Sequence, residues 1–178
     1  SPMYGQAERT TGDLVHQLGK RADTFLATKV WTNGREKGIA QIERSMQLLR
    51  AVQLDLLQIH NLVDWRTHIA TLRKLKDEGL VRYIGVTHYT VSAHETLEQV
   101  LRTEQLDFVQ FNYSLGTRAA ERRLLPFCRD HGIAVLINRP FEEGALFTRV
   151  RGRELPPYAS EFDCTSWAQF FLKYIISH

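Results

Sequence analysis

Five short stretches rich in β-branched and aromatic residues recur along the chain, and their regular spacing constrains the fold more than any other feature. They begin about every 25 to 30 residues and are typical of strands. The gaps between them carry apolar residues three or four positions apart, as on one face of a helix. The predicted strands cover residues 24–31, 54–60, 81–87, 106–112 and 133–138.

One helix is predicted in each of the four gaps. Gly79 and Gly132 follow charged segments just before the next strand, where a glycine commonly ends a helix. A further helix is predicted at residues 7–18, and an apolar stripe predicts a last one from Trp167 to Tyr174.

Alternation of strands and helices at this period predicts parallel strands joined by right-handed crossovers. A (β/α)₈ TIM barrel repeats this unit eight times in about 250 residues. We therefore interpret residues 1–178 as one barrel domain of the α/β class, truncated at both ends. About five full β/α units are expected, with the first strands and the last strand missing. A doubly wound open sheet is the alternative, but no GxGxxG segment follows any predicted strand.

The composition is that of a soluble globular protein, with 43% hydrophobic and 24% charged residues. A net charge of +3 is too small to indicate a nucleic-acid partner, and no apolar run is long enough to span a membrane. Cys128 and Cys164 form no CxxC pair, which suits a reducing compartment and leaves one disulfide open. We expect a cytoplasmic protein, although a segment ahead of Ser1 would carry any export signal.

Polar residues stand at the downstream ends of all five predicted strands, which meet at the functional rim of a barrel. Four further histidines lie on predicted helices among charged residues and are expected at the surface: His16, His68, His94 and His131. No histidine has carboxylate or cysteine neighbours at a metal-ligand spacing, so no metal site is predicted. The strand-end residues are Lys29, His60, Thr87 with His88, Gln110 with Asn112, and Asn138 with Arg139.

Tyr4, Lys29 and His60 together suit the protonation of a carbonyl oxygen. A lysine ammonium favours the phenolate of a nearby tyrosine and so eases proton release, while a neutral imidazole can hold the substrate oxygen. Each residue also has a structural interpretation. Tyr4 can be a turn tyrosine, Lys29 a paired or solvated strand residue, and His60 a core histidine.

The order and spacing of several segments resemble those of the aldo-keto reductases along essentially the whole chain. That resemblance implies a TIM barrel that reduces aldehydes and ketones to alcohols with NADPH, less often NADH. NADP(H) is thus expected rather than NAD(H), with a small carbonyl compound as substrate. The matching segments are residues 1–5 with Ala7 and Glu8, then 28–30, 57–60, 85–87 and 110–114.

By that resemblance Tyr4 is the general acid, Lys29 its activating partner and His60 the residue that orients the carbonyl. The family's aspartate, which pairs with the lysine, would lie two residues ahead of Ser1. Residues 142–146 match the loop over the pyrophosphate. The cofactor-binding residues implied are Thr87, His88, Gln110, Asn138, Arg139 and Phe141.

Three residues depart from the family pattern. Arg139 stands where a small hydroxyl residue is usual. His88 stands in place of an asparagine, and Asn138 stands where an aromatic residue stacks on the nicotinamide. These departures leave a second hypothesis open, a nucleotide-binding regulatory or scaffold subunit with little turnover. A TIM-barrel hydrolase or isomerase is a weaker alternative, because no strand end offers a carboxylate pair or a metal cluster.

Overall fold

The computed structural model describes residues 1–177 and contains one five-stranded sheet. All neighbouring strands are parallel, and their order in the sheet is their order in the chain. This sequential order is that of a (β/α)₈ barrel, whereas a doubly wound sheet reverses its strand order partway. The strands are β1 (Ala27–Val30), β2 (Leu54–Ile59), β3 (Val81–Thr87), β4 (Phe108–Asn112) and β5 (Ala134–Asn138).

A helix fills each connection between the strands, as predicted. Gly79 and Gly132 have positive φ angles of 73° and 66° and follow the ends of two of these helices, which confirms their role as helix terminators. The helices are α1 (Ala7–Gln17), α2 (Arg35–Leu48), α3 (Trp65–Asp77), α4 (His94–Thr103), α5 (Leu124–Asp130), α6 (Ala145–Arg149) and α7 (Trp167–Ile176).

The core lies between one face of the sheet and helices α2 to α5. Alternate strand residues such as Ile84, Val109 and Phe111 are buried there, together with Ile42 of α2 and Leu72 of α3. Because successive strand residues face opposite sides, the residues between them lie on the other, concave face. That face carries apolar side chains near the strand starts and polar ones near the strand ends.

Strand β4 shows how this alternation positions the functional residues. Val109 and Phe111 pack beneath the helices, so Phe108 and Gln110 lie on the concave face, whereas Asn112 Oδ1 lies 3.1 Å from Nε2 of His94 on α4. The Phe108 ring lies 5.4 Å from that of Tyr83 on β3, near the start of both strands. The amide side chains come at the carboxyl end, where the sequence places a functional rim.

Several boundaries and positions differ from the sequence-based expectations. Strand β1 is shorter than predicted, and His60 lies beyond β2 in a 3₁₀ turn, His60–Leu62. The predicted surface position of His68 is wrong. Its side chain is fully buried, and Nε2 lies 2.7 Å from the carbonyl oxygen of Thr32. The glycine at position 38 leaves the space that this ring occupies, since a Cβ there would come within 2.4 Å of the imidazole.

Two further predictions concern a possible disulfide and membrane-spanning segments. Cys128 and Cys164 are buried and unbonded to each other, so the disulfide left open by the sequence is not formed. Among residues 1–177, no helix has both the length and the apolar character needed to cross a bilayer. Residue 178, the last of the predicted domain, lies outside the described residues.

Candidate active site

A cavity of about 420 Å³ opens at the carboxyl ends of the strands and brings together most of the predicted site residues. Its wall includes Tyr4, from the segment before α1, and side chains from the ends of all five strands. Seven of the nine predicted residues line it: Tyr4, Lys29, His60, Thr87, Gln110, Asn138 and Arg139.

Lys29 lies on the concave face of β1, beside Gln58 of β2, and is half-buried. Burial lowers the pKa of its ammonium, because charge is less well solvated there. No carboxylate lies within 4.0 Å of Lys29 Nζ in the part of the chain that the structure describes. The lysine therefore faces the cavity as a cation without an ion-pair partner among these residues.

His60 begins the 3₁₀ turn after β2, and its ring meets the Trp31 ring edge-on at 5.6 Å. Burial lowers the pKa of this imidazole, and the nearby positive charges of Lys29 and His88 lower it further. His60 Nδ1 is buried and has no hydrogen-bond partner among residues 1–177. A neutral ring is thus favoured, which can donate a hydrogen bond to a substrate oxygen through its protonated nitrogen.

Tyr4 lies in the turn that leads into α1, and 65% of the residue surface is exposed. Its backbone carbonyl accepts a hydrogen bond from the amide of Ala7 at 3.0 Å. Within the described residues its hydroxyl makes no hydrogen bond with Lys29 or His60. The phenol is largely exposed and lies at the cavity wall, within reach of a molecule bound there.

Glu8 ties the Tyr4 segment to the strand that carries Lys29. This carboxylate is 4% exposed and accepts a hydrogen bond from Thr28 Oγ1 at 2.5 Å. Its other oxygen accepts one from Ser45 Oγ of α2 at 3.1 Å. Because Thr28 precedes Lys29 directly, the network fixes the start of α1 relative to the lysine.

Gln110, Thr87 and Asn138 form a polar row across three strands. Thr87 and Gln110 are register partners on β3 and β4, and Gln110 Nε2 donates to Asn138 Oδ1 of β5 at 2.6 Å. Gln110 Oε1 is buried and has no hydrogen-bond partner in the described part of the chain. Thr87 Oγ1 accepts a hydrogen bond from the backbone amide of Asn61 at 3.3 Å. A buried, unpaired acceptor in a cavity wall fits a ligand that supplies an N–H group.

Arg139 follows Asn138 directly after the end of β5 and has a left-handed backbone conformation, with φ of 54°. Its guanidinium lies 5.1 Å from the centroid of the Tyr89 ring and 3.1 Å from a carboxylate oxygen of Glu143. All three side chains line the cavity, so a cation and an anion are present together at its outer wall.

His88 and Phe141 do not line this cavity, and their predicted contacts with a cofactor stay predictions. The His88 ring stacks on Tyr89 at 5.6 Å, and its Nδ1 accepts hydrogen bonds from the amides of Tyr89 and Thr90. Phe141 packs against Phe147 at 4.9 Å. The His88 ring is thus held by its own loop, and the Phe141 ring contacts helix α6.

Three lining residues were not predicted as site residues: Met3, Asn61 and Tyr89. Asn61 and Tyr89 come one or two residues after a polar strand end, and that position was an available signal. Glu143, in a short 3₁₀ turn, also lines the cavity and belongs to residues 142–146, the segment matched to the loop over the pyrophosphate. Among residues 1–177, no group of three His, Cys, Asp or Glu side chains is placed to hold a metal ion.

The known proteins that this chain resembles in sequence include two methylglyoxal reductases. An NADH-specific methylglyoxal reductase of Escherichia coli is 40% identical over 146 residues, which cover 76% of this chain and 40% of the relative. The methylglyoxal reductase YeaE of Escherichia coli is 30% identical over 183 residues, which cover 99% of this chain and 64% of the relative. The chain thus spans between 40% and 64% of the length of these two proteins.

Solved structures of aldo-keto reductases share the fold of this chain. An aldo/keto reductase from Klebsiella pneumoniae, crystallised with NADP and acetate, superposes with a TM-score of 0.78 at 24% identity, over 97% of this chain and 62% of that one. An aldo-keto reductase from Bacillus halodurans superposes with a TM-score of 0.67 at 26% identity, over 84% of this chain and 50% of that one. The sequence profile of the "Aldo/keto reductase family" matches residues 1–172, and the chain belongs to that family.

Proposed function

We propose that the full protein is an NAD(P)H-dependent reductase that converts aldehyde or ketone carbonyls to alcohols. The observation that carries this proposal is the convergence of Tyr4, Lys29 and His60 on one cavity from segments far apart in the chain. A phenol, an ammonium and a neutral imidazole at one rim suit the protonation of a carbonyl oxygen.

In this proposal Tyr4 donates its proton to the carbonyl oxygen as negative charge develops there. His60, kept neutral by burial and by the charge of Lys29, donates a hydrogen bond to the same oxygen and orients the carbonyl. The Lys29 ammonium stabilises the phenolate that Tyr4 leaves behind. Each role needs a side chain at the cavity wall, and all three residues lie there.

The residues at the strand ends fit a nicotinamide dinucleotide. The buried, unpaired Gln110 Oε1 suits the N–H group of a carboxamide, and Thr87 and Asn138 lie on either side of Gln110. When bound, the nicotinamide supplies the hydride that no side chain can provide. We favour NADP(H) over NAD(H) because of the Klebsiella pneumoniae relative crystallised with NADP, although one Escherichia coli relative is named NADH-specific.

We further propose that the five strands belong to a single barrel domain. The sequential parallel sheet, with β1 and β5 at its two edges, supports this domain assignment. We also propose that the partner of this domain is a small carbonyl compound and that the domain binds neither a nucleic acid nor a membrane. The free cysteines are in keeping with a cytoplasmic location.

The test compares binding with turnover in the full-length protein. Titration with NADPH, followed by fluorescence, measures binding, and loss of NADPH absorbance with 4-nitrobenzaldehyde measures reduction. Tyr4→Phe should bind NADPH as the wild type does and lose turnover by about a hundredfold or more, the usual contribution of a general acid. Tyr158→Phe is the matched control, because Tyr158 is exposed and does not line this cavity.

Two outcomes would count against the proposal. Equal turnover by Tyr4→Phe and the wild type would remove the role of the phenol. Tight NADPH binding without reduction of any carbonyl tested would instead favour a regulatory subunit that uses the nucleotide as a ligand.

A further inference from the structure

We propose that Asn138 is a positioning residue, which orients the Gln110 side chain so that its carbonyl oxygen meets the N–H of a nicotinamide carboxamide. This inference rests on the proposed function and concerns how the cofactor ring is selected. Asn138 takes this role through Gln110 and not by stacking on the ring.

The hydrogen bond between the two amides is the first observation. Gln110 Nε2 lies 2.6 Å from Asn138 Oδ1, and both side chains line the cavity. In the register of the sheet Gln110 is opposite Leu136, so Asn138 lies two residues further toward the carboxyl rim. Strand β5 therefore holds the acceptor beside the end of the Gln110 side chain.

A glutamine amide has one donor end and one acceptor end, and an unrestrained side chain can present either. Here the donor end is used by Asn138, and the acceptor, Gln110 Oε1, is left buried without a partner among residues 1–177. Because an unpaired buried acceptor is unfavourable, a ligand that donates a hydrogen bond to it is preferred over one that cannot. An unsubstituted carboxamide donates such a bond, whereas an acetyl group has no N–H.

This reasoning predicts a discrimination that can be measured by binding alone. The probes are NADP⁺ and its 3-acetylpyridine analogue, in which a methyl group replaces the amide nitrogen of the carboxamide. The full-length wild type should bind the analogue about tenfold more weakly, as expected for one buried acceptor left unpaired.

Substitutions at Asn138 separate orientation from general packing. In Asn138→Leu the Gln110 side chain is free to turn and offer its N–H to the acetyl oxygen, so the ratio of the two dissociation constants should fall below about twofold. Asn138→Asp keeps an acceptor oxygen next to Gln110 and should retain most of the wild-type ratio. A loss of packing alone would weaken both ligands equally and leave the ratio unchanged.

Gln58→Leu is the control, because Gln58 is a buried amide on the same concave face that forms no hydrogen bond with Gln110 among the described residues and does not line the cavity. It should keep the wild-type ratio. The inference is overturned by a ratio near one in the wild type, by a wild-type ratio in Asn138→Leu, or by loss of the ratio in Asn138→Asp. A wild type that binds neither dinucleotide would refute the proposed function itself, and this inference with it.

Discussion

Removal of the Glu8 carboxylate should destabilise the protein strongly, because this side chain joins three segments in the interior. Glu8 accepts hydrogen bonds from Thr28 Oγ1 and Ser45 Oγ, and both hydroxyl-bearing residues are 1% exposed. In Glu8→Ala these two hydroxyls lose their acceptor and stay buried. An unsatisfied buried polar group costs about 1 to 3 kcal/mol, so for two such groups the loss should be about 2 to 6 kcal/mol.

The measurement is urea-induced unfolding of the full-length protein, followed by circular dichroism. Glu8→Gln keeps one acceptor oxygen at the same place, so its loss of stability should be about half that of Glu8→Ala. Glu43→Ala is the matched control, since Glu43 is exposed on α2 and forms no ion pair among the described residues. Its unfolding midpoint should be close to that of the wild type.

Substitution of Glu8 should also weaken catalysis, because Glu8 holds the segment of Tyr4 against the strand of Lys29. Glu8→Gln, which stays folded at 25 °C on this reasoning, should lower kcat more than it lowers the affinity for NADPH. A Glu8→Ala protein that unfolds within about 0.5 kcal/mol of the wild type would refute the role of this network.

Three further predictions follow from burial and charge. The His60 pKa is lowered, so its neutral form persists to more acid pH; the acid limb of log kcat/KM should lie below the ordinary imidazole value of 6.5 and be absent in His60→Gln. Gly38→Ala should lower the free energy of unfolding by about 1 to 3 kcal/mol, because the new methyl group meets the buried His68 ring. An unchanged free energy of unfolding in urea would contradict this packing. Burial raises the pKa of the Cys128 thiol to about 12, so peptide mapping after treatment with iodoacetamide at pH 8 should find it unlabelled in the folded protein and labelled after denaturation, and rapid native labelling would show that the site opens.

Much of the fold was predictable because each local signal agreed with its neighbours. The apolar runs, the helical periods and the glycines at 79 and 132 all pointed to strand–helix units, and the structure has them in sequential parallel order. The exact ends of the strands were harder to predict from the sequence. His60 left the strand because Asn61 and Leu62 adopt positive φ angles of 51° and 57°, and nothing in their residue types requires that conformation.

The position of the polar strand-end residues was also predictable, because residues at the carboxyl ends of parallel strands meet at one rim whatever conformation the loops adopt. Gln110 and Asn138 needed no loop information to be placed together. His88 was different, because its ring turns back onto the amides of its own loop. The buried position of His68 depended on a space opposite it on another helix, which is a property of the tertiary packing alone.

The central claim is that Tyr4 and His60 act on one substrate oxygen beside Lys29. A crystal structure of the full-length protein with NADP⁺ and acetate, whose carboxylate oxygen stands in for a carbonyl oxygen, tests it most directly. We expect one acetate oxygen within about 3.2 Å of both Tyr4 Oη and a ring nitrogen of His60, with Lys29 Nζ next to the phenol. An acetate bound elsewhere, or a Tyr4 hydroxyl that makes no contact with the acetate when both ligands are in place, would contradict the account.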